Sequence, residues 1–134
     1  ESREQQWTRM VETPAAAMLK APADNYRRWW NNTWAVVEEG GAPKAGPWTP
    51  ADAARLKELV DHAHSLGYMI RFYTLNGHTP QTGQGWGSGY NFGSLEAARE
   101  RWRVAEAAGV DFIATDQYEE LRAALSTSRP AAAQ

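Results

Sequence analysis

At 134 residues, with a net charge of −2 and a pI near 5.9, the chain is sized for one domain with a core of ordinary dimensions. It has no basic stripe to hold nucleic acid and no apolar run long enough to span a bilayer; the lack of cysteine excludes a disulfide frame and leaves the compartment open. Seven tryptophans and eleven glycines, many outside the periodic segments, point to loops that hold something.

The chain opens without an initiator Met or a signal-peptide pattern, and is therefore expected to begin partway along a gene product or after processing. Ser2 and Gln5 have the spacing of a capping box, and Trp7, Met10 and Val11 give a first helix an apolar side until Pro14 ends it. Ala17–Ala21 reads as a weak strand, broken by Pro22. Residues 24–41, DNYRRWWNNTWAVVEEGG, are polar and aromatic with no definite structure, and residues 40–48 make a turn-rich connector. The next helix is well marked. Thr49 is a good N-cap, Pro50 fits the first helical position, and Asp52 completes an acidic capping box. Leu56, Leu59, Val60, Ala63 and Leu66 then form one stripe, and Gly67 can end the helix.

Tyr68–Leu75 reads as a strand. A long glycine-rich loop follows from Asn76 to Gly93, and its aromatics Trp86, Tyr90 and Phe92 favour a lid over a disordered connection. Ser94 caps a helix with Leu95, Ala98, Trp102 and Ala105 on its buried side, and Gly109 ends it. Val110–Thr115 is the next strand, and Tyr118, Leu121 and Leu125 face inward on a last helix. The order implies βαβ crossovers and a parallel sheet, in one unit over residues 1–126 followed by a disordered tail over 127–134. Three strands with helices outside leave one side of the sheet bare. A complete eight-fold barrel takes about 250 residues, so the preferred reading is the later part of a barrel, the alternative a small open sheet.

In a parallel α/β arrangement ligands meet the carboxyl ends of the strands. With the first strand at Ala17–Ala21, the cluster holding Asn25, Arg28 and Trp29 would sit at such an end, where Arg and Trp can bind an anion or a sugar. Equally, the tryptophans could plug the sheet with the arginines in solvent. Arg71 and Tyr73 share one face of their strand and Ile70 and Phe72 the other. Arg71 needs a carboxylate or a ligand anion, since an unpaired buried charge is costly, and Tyr73 and Asn76 lie near the substrate end. His62 and His64 stand about 200° apart on a helix and suit packing or capping; His78 lies in the lid. No metal cluster, P-loop or nucleophile elbow is present in the sequence. Asp116 and Glu119 have the spacing of a helix start, which makes Asp116 a cap in the first instance, with Thr115 facing the mouth.

Residues 70–76, IRFYTLN, followed by GVDFIATD at 109–116, resemble the closing strands of the phosphatidylinositol-specific phospholipase C-like and glycerophosphodiester phosphodiesterase superfamily. Its seventh strand commonly ends V-x-x-W-T-x-N, here with Tyr73 for the tryptophan, and its eighth commonly reads G-V-D-x-I-x-T-D. The resemblance covers about Ala51 to Leu125 and implies about three closing βα units of a TIM-type (β/α)8 barrel, from a phosphoric diester hydrolase of lipid metabolism. The family's histidine acid–base pair and its divalent ion, Ca or Mg, belong to early strands whose H-R-G and E-x-D motifs are absent from this sequence. The chain by itself is therefore expected to be inactive and without a cofactor, to contribute Arg71, Tyr73 and Asn76 to substrate binding, with Asn25, Arg28, Trp29 and Trp86 as further candidates, and to pair with itself or with the rest of the barrel. A secreted or periplasmic location follows from the resemblance alone. The rival readings are a non-catalytic module binding a sugar or anion through the Trp/Arg cluster and lid, and an inactive α/β domain serving assembly.

Overall fold

The computed structural model describes residues 2, 5, 10–73, 75–79 and 88–128. A parallel sheet of three strands, β1 (Trp29–Thr33), β2 (Met69–Tyr73) and β3 (Phe112–Ile113), is laid out in the order β1-β2-β3. Trp29 aligns with Met69 and Thr33 with Tyr73, while Arg71 aligns with Phe112. Between strands run α2 (Pro50–Ser65) and α3 (Leu95–Ala108); α1 (Ala15–Met18) precedes the sheet and α4 (Tyr118–Ser128) follows it.

The long helices begin and end where their side chains dictate. In α2 the Thr49 hydroxyl accepts from the Asp52 amide at 3.2 Å and the Asp52 carboxylate accepts from the Thr49 amide at 2.9 Å, so both halves of the capping box are made. Its buried stripe is Leu56, Leu59, Val60 and Ala63. Ser94 caps α3 through the Ala97 amide, and Gly109 ends it at φ +92°, a conformation that costs a residue with a Cβ about 1–2 kcal/mol. Ser2 and Gln5 make their reciprocal capping contacts as expected. Residues 3–4 and 6–9, including Trp7 of the expected first helix, lie outside the described residues; Met10–Glu12 form a 3₁₀ turn.

Three expectations are corrected. Ala17–Ala21 is not a strand: Ala15–Met18 is a helical turn that buries Ala15 and Leu19, because Ala15, Met18 and Leu19 fall at helical spacing and alanine favours the helix. The first strand lies inside the Trp/Arg cluster instead. Its alternation hides in polar residues, with Trp30 and Asn32 buried and Trp29 and Asn31 exposed. The disordered tail does not start at 127, since α4 runs through Ser128; residues 129–134 lie outside the described residues.

One face of the sheet, carrying Trp30, Ile70 and Phe72, packs under the helices against Leu59, Val60 and Trp102. The other carries Trp29, Asn31, Met69, Arg71, Tyr73 and Phe112 and no helix covers it among the described residues. Trp29 and Phe112 meet edge-to-face with ring centroids 5.0 Å apart, reaching over the intervening β2. Asp111, just before β3, ties the far end of the sheet: its carboxylate accepts from the Ile70 amide and bonds His64 Nε2, each at 2.8 Å.

Candidate functional site

A cavity of about 420 Å³ opens where the carboxyl ends of the three strands meet the uncovered face. β1 contributes Asn31, β2 contributes Arg71 and Tyr73, and the loop after β2 contributes Asn76 and Tyr90. The turn from β3 into α4 supplies Thr115, Asp116 and Tyr118. Strand alternation puts Asn31, Arg71 and Tyr73 on the same side, away from the helices.

Asn76 organises the mouth. Its backbone clamps the two ends of the long loop, donating to the Tyr90 carbonyl at 3.0 Å and accepting from the Phe92 amide at 2.8 Å. Its side-chain Oδ1 accepts from the Thr115 hydroxyl at 2.6 Å and from the Asp116 amide at 3.0 Å. A backbone N–H can only donate, so this contact settles which arm of the carboxamide is oxygen. Asn76 is 5 % exposed and lines the cavity, and its Nδ2 has no hydrogen-bond partner among the described residues. Gly77 brings the loop against α3: a Cβ there would stand 2.8 Å from Leu95 Cα and Ala98 Cβ.

Arg71 is half-buried beside this mouth and donates from Nη1 to Asn31 Oδ1 at 2.6 Å. The carboxylate partner that a strand arginine calls for is absent among the described residues; the guanidinium has only a neutral amide. Asp116 is the one carboxylate on the cavity wall among the described residues, and it is bonded to His78 Nε2 at 2.8 Å. Asp116 therefore departs from the expected cap: α4 starts at Tyr118, and the carboxylate is turned to the histidine. Tyr118, expected to face inward, is 74 % exposed; Ala124 is buried, flanked by half-buried Leu121 and Leu125.

Arg71, Tyr73 and Asn76 are thus brought together, with Thr115 as expected. Asn25, Arg28 and Trp29 are not. With the first strand at Trp29–Thr33 they stand at its amino end, where Arg28 Nη2 donates to Asn25 Oδ1 at 3.1 Å and Trp29 packs on Phe112. Trp86 lies outside the described residues. Trp30 and Trp34 belong to the core. The sequence reading placed Tyr90 and His78 in the expected lid and missed Asn31 as a lining residue and the His78–Asp116 contact. Asn31 was recoverable from the strand register; the His78–Asp116 contact carries no signal in sequence, because tertiary loop contacts make it.

His62 bonds the Leu19 carbonyl at 2.6 Å, and His64 bonds Asp111, so these two histidines hold elements together. Among the described residues no group of three or more His, Asp or Glu side chains could hold a metal ion. Comparison with protein-family models, with curated proteins and with solved structures gives no match.

Proposed function

We propose that this chain is the closing part of a phospholipase C-like or glycerophosphodiester phosphodiesterase-like barrel, and that its cavity receives the anionic group of a phosphodiester. The observation that carries the reading is Arg71, a half-buried guanidinium at the cavity whose single hydrogen-bond partner among the described residues is a neutral amide. A cation so placed is electrostatically incomplete, and a phosphate oxygen fits its planar fork. The Nδ2 of Asn76, which has no partner among the described residues, offers a second donor from the same wall. The topology supports the reading too. A doubly wound sheet reverses its strand order and carries helices on both faces; here the order is sequential and one face is uncovered, as in a segment of a (β/α) barrel.

Phosphorus NMR titration with methyl phosphate and with glycerophosphocholine tests this. Both ligands are expected to bind, and Arg71→Met to weaken each by about tenfold or more, the worth of one charge-assisted contact. The pure chain is expected to bind glycerophosphocholine without cleaving it; steady hydrolysis would overturn the proposal. The second reading, a non-catalytic sugar-binding module, draws on the three phenol rings of Tyr73, Tyr90 and Tyr118 around the cavity. A fluorescence response to glycans and none to phosphate esters would favour it.

A further inference from the structure

We infer that Asp116, held in place by His78, is the cavity's acceptor for a hydroxyl group on the ligand whose anion meets Arg71. The inference rests on the anion-binding reading and adds to it a second point of recognition.

Asp116 is fixed at two points. Its backbone N–H donates to Asn76 Oδ1, and its Oδ1 is bonded to His78 Nε2. An ionised carboxylate can only accept, so His78 carries its proton on Nε2 and donates. The imidazole is itself largely buried, at 13 % side-chain exposure, and stands behind the wall, outside the lining of the cavity. The backbone beneath it is anchored as well: the His78 amide donates to Asn91 Oδ1 and the Gly77 amide to Gln117 Oε1. One carboxylate oxygen is thereby spent inside the protein, and Oδ2 has no donor among the described residues, on a side chain that lines the cavity.

The cavity wall thus carries donors and an acceptor together. Arg71 and the Asn76 Nδ2 donate; Asp116 Oδ2 accepts. A bare anion satisfies the donors and is repelled by the carboxylate. A ligand bearing an anion and an aliphatic hydroxyl a few bonds away satisfies both, the hydroxyl donating to Oδ2. Asp116 is then a specificity-determining residue and His78 a positioning residue.

Calorimetric titration with sn-glycerol 3-phosphate and with methyl phosphate, at one salt concentration, tests the inference, since methyl phosphate has the anion and lacks the hydroxyls. The chain is expected to prefer glycerol phosphate by about tenfold, one hydrogen bond to a charged acceptor. Asp116→Ala is expected to abolish the preference while binding methyl phosphate at least as tightly as before. His78→Gln keeps an N–H donor at similar reach and is expected to retain the preference; His78→Leu is expected to lose it. Near-UV circular dichroism verifies the fold of each variant, and a purely structural effect would weaken both ligands equally and leave their ratio unmoved. A ratio unchanged in Asp116→Ala, with Arg71→Met still weakening both ligands, overturns this inference and leaves the anion site standing. Indifference of both ligands to Arg71→Met overturns the anion site, and the inference with it.

Discussion

Two arginines in this chain show opposite electrostatic situations. Arg101, 2 % exposed, is fully provided for: it donates to both oxygens of buried Glu38 at 2.8 and 2.9 Å, to Glu100 at 3.0 Å and to the Gly46 carbonyl. Its guanidinium also lies over the rings of Trp48 and Phe92, and Trp34 Nε1 donates to the same Glu38 at 2.6 Å. Removing one member leaves a charge buried without its counterpart, so Arg101→Met is expected to cost about 3–5 kcal/mol by urea denaturation. The double variant Arg101→Met, Glu38→Met should recover much of that loss, because no charge then stays in the core. Arg71 has no such acid, which is why it is read as a ligand contact and Arg101 as structure. Asn32 is a residue-scale defect: its buried Nδ2 has no partner among the described residues. Asn32→Val removes an unsatisfied amide and places a branched residue in a strand, and thermal denaturation is expected to show a gain of about 1 kcal/mol.

At the scale of elements, local chemistry and long-range packing part company. The α2 capping box, the Ser94 cap and the Gly109 stop were all legible, since each is an interaction within four residues along the chain. Thr49→Ala is accordingly expected to lower stability by about 1 kcal/mol in chemical denaturation. The strand β1 was not legible: Trp-Trp-Asn-Asn-Thr has poor strand propensity in its middle, and pairing with β2 overrides that preference. Mislocating β1 then moved Asn25 and Arg28 to the wrong end of the sheet. Gly77 shows the same limit. Nothing adjacent in sequence announces that the backbone there must touch α3, and Gly77→Ala is expected to cost about 1–3 kcal/mol through overpacking.

At the scale of the whole molecule, the uncovered face and the outer edges of β1 and β3 dominate. Both edges are unpaired among the described residues, and Phe112 on the open face is 56 % exposed. Parallel sheets are ordinarily covered on both faces, and exposed edges invite pairing. Concentration-dependent self-association is therefore expected in light scattering, weakened by Phe112→Lys, which sets a charge among the apolar side chains. A monomer that persists at high concentration would show that the face is stable in water.

The sequence by itself determined the α/β character, the two later strands among amphipathic helices, the ends of α2 and α3, and the shared face of Arg71 and Tyr73. These follow from period and from capping, which are properties of neighbouring residues. Only the tertiary structure decided where the first strand runs, that Arg101 is buried with Glu38 while Arg71 meets an amide, and that Asp116 turns to His78 instead of capping α4. Each of those depends on a partner about forty or more residues away, and the free energy of a side chain's second contact is not written in the residues beside it.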